Sequence, residues 1–192
     1  MIAVVRRAGA FPAHPRLRQV VMDTAAANFE TEVTRLVRDC AALGDPVYAA
    51  SCIGIGTGSL KWSEAEMMAL EVGVGGAFAR GCFAAGVTRF GLLSAVGSSP
   101  NSRFRYVRVM GKKEEAIKAI GFPQLAIFRP GIIGGNVHTP SSVAWLGRLM
   151  PGRFGTIDQD EIAGAFVAEL AHGTPGLTLL ENEAMRQLSA RS

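Results

Sequence analysis

Cysteine is scarce and scattered. There are 3 in 192 residues, at Cys40, Cys52 and Cys82, and no two have the spacing of a zinc site or a disulfide motif. They read as small buried apolar residues in a reducing compartment. The 3 histidines, His14, His138 and His172, are equally dispersed and read as loop residues, so no metal site is expected. Aromatic residues make up only 7%. There is no aromatic platform and no basic stripe of the kind nucleic acid needs, which excludes it as a partner. The formal charge of +4 is mild. Its densest spots are "VVRRAG" and "GKKEEAIK", and acids dilute the second. No signal peptide opens the chain, and charges break each apolar run short of a membrane span. A cytoplasmic protein with no membrane partner is therefore expected.

What is present is a globular composition, 48% hydrophobic and 19% charged, at a length suited to one domain over residues 1–192. Short apolar runs alternate with helical patterns. "IAVVR" (2–6), "RQVVM" (18–22), "VYAASCIG" (47–54), "RFGLLSA" (89–95), "QLAIFRP" (124–130) and "GLTLLE" (176–181) read as strands. Phe29, Val33, Leu36, Val37, Cys40 and Leu43 have helical spacing, stopped by Gly44, Asp45 and Pro46. Ser63 with Glu66 has the form of a capping box, opening a helix that runs to about Gly86. A third helix carries Tyr106 and ends near Gly121, and a fourth runs from about Asp158 to His172. Alternation of this kind predicts an α/β fold with a parallel sheet and helices on both faces. Gly73, Gly75 and Gly76 weaken their helix, which suggests a close approach to a neighbour. The long loop of about residues 134–157, with Trp145 and Met150, is where such folds place part of a site.

"YVRVMGKKEE" (106–115) poses the chemical question. A tyrosine begins a helical stretch and a serine lies upstream in "GLLSAVGSS". With "LAIFRPGIIGG" and "LLENEAMRQLS", these segments resemble the atypical short-chain dehydrogenases/reductases. The resemblance implies a Rossmann-like, NAD(P)-binding fold. It implies that Tyr106 is the acid/base tyrosine and Ser94 the serine that polarises a carbonyl, although the adjacent position, often serine too, is Ala95. It places Arg6 and Arg7 at the adenosine 2′-phosphate, which would select NADP(H). A guanidinium fork suits phosphate, whereas an acid there would favour NAD. It places Asp23 near the adenine, Ser51, Cys52 and Ile53 along the adenosine, and Pro130 and Gly131 near the nicotinamide. "GIGTG" (54–58) lacks the Walker lysine and reads as strand-end backbone lying against the adenosine. A small carbonyl substrate is implied, and the resemblance leaves room for a homo-oligomer.

Two departures stand against activity. The family begins with a strand, a glycine-rich turn and a helix, which would precede Met1. In the family's strand order the absent strand lies between "IAVVR" and "VYAASC". Direct pairing of those two runs is expected, because an open gap would leave two ladders unpaired. Closure would shrink the pyrophosphate crevice, so cofactor binding is expected to be weak. The second departure is Met110, which stands where the family has a lysine that lowers the tyrosine pKa. A thioether cannot favour the phenolate. Lys113 lies about 20° from the Tyr106 azimuth but about 10.5 Å along the axis, and Lys112 points about 120° away, so neither replaces it. Three readings follow. One is an NAD(P)-binding protein with weak or lost oxidoreductase activity. Another is an active NADPH-dependent reductase whose start lies upstream of Met1. The third is a non-enzymatic regulatory or interaction protein on the same scaffold.

Overall fold

Period-two alternation within the apolar strands sets the layering. The computed structural model describes residues 1–55, 61–134 and 152–191. Among the described residues the strands are β1 (Ile2–Val5), β2 (Arg18–Val21), β3 (Ala49–Ser51), β4 (Arg89–Leu93), β5 (Gln124–Arg129), β6 (Ile132–Gly134), β7 (Thr156–Asp158) and β8 (Gly176–Glu181). The longer helices among them are α1 (Phe29–Ala41), α2 (Glu64–Ala84), α3 (Arg105–Lys118), α4 (Gln159–His172) and α5 (Asn182–Ser189). β3, β4, β5 and β8 form a four-stranded parallel sheet in the order β3-β4-β5-β8. Along β5, Leu125 and Ile127 join the core under α1, α2 and α3, while Ala126 and Phe128 join the core under α4 and α5. A strand apolar on both faces is what a parallel sheet covered on both sides requires.

Close approaches occur at particular glycines. Gly81 lets α2 cross α1, since a Cβ there would sit 2.6 Å from the Glu30 carbonyl oxygen. Thr34 Oγ1 donates to the Gly81 carbonyl at 3.1 Å across the same crossing. Gly73, Gly75 and Gly76, singled out from the sequence, have no comparable backbone neighbour. On the other face, Gly91 leaves room for Phe166, which stacks on Phe128 at 3.7 Å.

The Ser63–Glu66 capping box forms as expected, with the Ser63 amide donating to Glu66 Oε2 at 2.8 Å. Beyond it, α2 widens into a π-helical turn over Met68–Val74 before resuming as α-helix at Gly75. By length and composition alone this 21-residue helix could cross a membrane, contrary to the expectation that charges break every apolar run. Here it packs as a core helix, with Met67, Ala79 and Cys82 at 0% exposure.

The N-terminal strands depart from expectation. β1 and β2 form their own two-stranded parallel sheet, and β1 does not pair with β3. Direct closure is thus overturned. Val4 and Met22 instead pack on the core that α1 shares with the main sheet. Side-chain burial anchors the β1–β2 pair, so β1 needs no second ladder partner to stay in place. Among the described residues, β1 and β3 each keep an unpaired edge. Three further elements were not foreseen. β6 and β7 form a short parallel pair, and α5 follows β8 directly.

Candidate functional site

The C-terminal ends of β4 and β5 open into a cavity of about 350 Å³. Hydrogen bonds continue beyond the strands, from the Ser94 amide to the Phe128 carbonyl at 2.7 Å and from Val96 to Pro130 at 2.9 Å. These fix the two strand ends side by side. Ser94, Tyr106, Pro130 and Gly131 all line the cavity, so four of the residues expected from sequence come together. The remaining wall is apolar: Ala95, Val96, Val107, Ile132, Ile133 and Phe154.

Gly131 is required at its position. A Cβ there would lie 2.5 Å from the Gly155 carbonyl oxygen. Its amide donates to Asn182 Oδ1 at 2.9 Å, and Asn182 Nδ2 donates to that same Gly155 carbonyl at 2.8 Å. Asn182, fully buried, thereby joins the start of α5 to the cavity wall. This gives the "LLEN" motif a physical role that sequence reading did not supply.

Tyr106 lies in the first turn of α3, and its residue is 38% exposed. Crowding around the phenol, with the negative charge of Glu71 adding to it, pushes its pKa up to about 12. Residue exposure and phenol crowding differ because the first averages over the whole side chain and backbone. Met110, one turn on, is 3% exposed and packed in the interior. The α3 lysines are engaged elsewhere. Lys112 reaches Glu64 at 3.3 Å, and Lys113 pairs with Glu71 at 2.8 Å.

Ser94 is tied inward. Its hydroxyl donates to Glu114 Oε1 at 2.6 Å, and Ser98 Oγ lies 3.1 Å away. Ser98 in turn donates to the Ala95 carbonyl at 2.6 Å. Two hydroxyl protons serve three contacts, so none is left for a substrate oxygen in this arrangement. Glu114 is gripped by both ends of the Arg129 guanidinium, at 2.9 and 2.5 Å. Sequence reading missed Glu114, Arg129 and Glu71. A charged residue in a helix, as Glu71 and Glu114 are, or at a strand end, as Arg129 is, offers no sign that it will turn inward.

The other expected residues stand apart from this cavity. Arg6 and Arg7 are exposed just past β1, and they make no ion pair among the described residues. Asp23 follows β2 and accepts the Ala25 amide at 2.9 Å. Ser51, Cys52 and Ile53 form the end of β3 and its exit. Ser51 Oγ is buried and has no hydrogen-bond partner among the described residues. Of the three cysteines expected to be buried only Cys82 is, Cys40 being half-buried and Cys52 exposed as a residue; crowding around the Cys52 thiol nonetheless raises its pKa, with Lys113 opposing. Residues 56–58 of "GIGTG", and Trp145 and Met150 of the long loop, lie outside the described residues.

No protein-family model matches the chain. Among curated proteins it is 35% identical over 113 residues to the mitochondrial protein FMP52-1 of Scheffersomyces stipitis, a match covering 59% of this chain and 42% of that protein. It is 28% identical over 120 residues to protein HTATIP2 of Rattus norvegicus, covering 57% and 48%. The matched region thus spans less than half of either relative. Several related fungal proteins are also named mitochondrial, which overturns the expectation of a cytoplasmic protein. In fold, the chain is similar to the Bordetella bronchiseptica enzyme WbmH in complex with NAD+, with TM-score 0.67 and 15% identity over 98% of this chain and 70% of that one. A Serratia marcescens short-chain dehydrogenase/reductase variant matches with TM-score 0.59 and 13% identity over 88% and 77%. The chain is thus similar in sequence to the FMP52 and HTATIP2 proteins and in fold to NAD-binding Rossmann-like structures, the pattern expected of the atypical short-chain dehydrogenase/reductase group.

Proposed function

We propose that this chain is a dinucleotide-binding member of that group whose oxidoreductase activity is weak or lost. The observation that carries the reading is the setting of Tyr106. Carbonyl reduction needs a hydride, which a bound nicotinamide would supply, and a proton on the carbonyl oxygen. Tyr106 is the cavity residue suited to give that proton. Met110 offers it no cation, and burial of the phenol, with the charge of Glu71 adding to it, raises its pKa to about 12 and keeps it protonated. A tyrosine so placed is a poor base for alcohol oxidation and a slow acid for reduction, because its phenolate lacks support. Ser94, committed to Glu114, gives little help with the carbonyl.

The residues present fit a dinucleotide in part. Arg6 and Arg7 would hold the 2′-phosphate, favouring NADP(H). The orphaned Ser51 hydroxyl and Asp23 would serve the adenosine, and Pro130 and Gly131 the nicotinamide. The apolar cavity wall suits a small apolar carbonyl compound better than a sugar. Affinity should be weak, because no glycine-rich turn at a helix N-terminus cradles the pyrophosphate among the described residues. The test is a fluorescence titration with NADPH and NADH, followed by turnover assays with small aldehydes and ketones. Met110→Lys should raise any turnover. Ordinary enzyme rates from the unaltered chain, or equal affinity for the two cofactors, would overturn the reading.

A further inference from the structure

Glu71 and Lys113 form an ion pair inside the molecule, each side chain 1% exposed, with Nζ and Oε2 2.8 Å apart. Their remaining bonds all run to strand ends. Lys113 Nζ donates to the Ile53 carbonyl at 2.7 Å and the Leu93 carbonyl at 3.2 Å. Glu71 Oε1 accepts the Ile55 amide at 3.0 Å. Gly54 lies beside this carboxylate, where a Cβ would make ordinary contact with Oε1 at 3.4 Å. One pair therefore fastens the exit of β3 to the exit of β4, through side chains from α2 and α3. The π-helical turn Met68–Val74 carries Glu71, and such turns often mark functional positions. Burying two charges is costly, and an apolar pair of the same size would often stabilise the fold as well or better. Stability alone therefore does not account for the pair.

We infer that Glu71 and Lys113 are positioning residues that hold Ile53–Ile55 as the wall on which the adenosine side of a dinucleotide rests. Neither side chain touches the cofactor. The pair acts through the backbone it fixes, so that the wall is set before the ligand arrives. This rests on the dinucleotide-binding reading above, and it adds which interior residues set the affinity.

The test uses the full chain and NADPH as the probe. Glu71→Gln, Lys113→Met and the double variant are compared with the parent by fluorescence titration, thermal unfolding and hydrogen exchange of the peptide containing Ile53–Ile55. Each single variant should weaken NADPH binding about tenfold or more and speed exchange in that peptide. The double variant leaves no lone buried charge and should recover most of the thermal stability. Its NADPH affinity should stay low and its Ile53–Ile55 exchange fast. If affinity returns with stability, or if exchange in that peptide never changes, the pair is structural and the inference is overturned. If the parent itself binds no dinucleotide, the dinucleotide reading fails, and this inference falls with it. A parent that binds while its variants bind equally well refutes this inference alone.

Discussion

Glu71 and Glu114 are both 1% exposed and both face a cation, yet they hold different things. Glu114 meets the planar fork of Arg129 with both oxygens and accepts a hydrogen bond from the Ser94 hydroxyl. Glu71 meets a lysine with one oxygen and a backbone amide with the other. The Arg129 side chain is 19% exposed and partly hydrated, whereas Lys113 is at 1%. One carboxylate orders side chains beneath the cavity, and the other orders strand ends. The bidentate pair stands nearer solvent and is the more replaceable. The point-charge pair is sealed, so losing either half leaves an uncompensated charge.

The largest expected effect breaks the sealed pair. Lys113→Met should lower unfolding free energy by about 3–5 kcal/mol in urea titration. Arg129→Met should cost less, about 1–3 kcal/mol, because water reaches its site and Ser94 still donates to Glu114. Equal losses would erase the distinction between the pairs.

Next in size is the phenol of Tyr106. In a Tyr48→Phe background, the absorbance of its phenolate should appear near pH 12, above the ordinary 10.0. Adding Glu71→Gln should move the titration downward by removing a repelling charge. The folded form holds this proton more tightly than the unfolded one. Its contribution to stability is therefore complete below pH 10 and is lost as pH rises toward 12. A titration unmoved by Glu71→Gln would show that desolvation alone sets it.

A smaller effect is expected at Ser94. Ser94→Ala removes one hydrogen bond to Glu114 and should cost about 1 kcal/mol in thermal unfolding. Any residual carbonyl turnover should change little, because the hydroxyl is committed inward. A large fall in turnover with stability preserved would restore Ser94 to the carbonyl-polarising role.

The smallest effect concerns a carboxylate at the surface. Glu64 accepts hydrogen bonds from Arg108 and Lys112, and the Arg108 bond above all lowers its pKa from 4.5 to about 2. A depressed carboxylate stabilises above its unfolded value and loses that contribution as pH falls from about 4.5 to about 2. Glu64→Gln should flatten the acid side of the melting curve slightly. Salt should mask the difference, as it does for exposed pairs.

The α/β layering and the Tyr106 cavity were legible because both rest on local signals. Apolar runs of strand length mark β4 and β5, and the residues at their C-terminal ends meet at the cavity once the strands are parallel. The pairing of β1 was not legible. It depends on Val4 and Met22 packing on the α1 core, a tertiary contact that no local pattern in either segment announces. The buried charges were also hidden. Lys113 and Glu114 occupy an apparently solvated run, "GKKEE", and their inward turn follows from α2 and β5 standing opposite with Glu71 and Arg129. The short β6–β7 pair, three residues each, carries too few residues for a period to show.

The wide turn in α2 also bears on how this chain is compared with its relatives. A regular helix advances about 100° per residue, so a face can be traced through any stretch by counting. Across Met68–Val74 the count slips. Residues before the turn and residues after it belong to faces out of phase with each other. Ser63 and Met67 are set by one phase, and Ala79, Gly81 and Cys82 by another. An alignment of this helix with an unbroken one therefore needs a one-residue gap inside the turn.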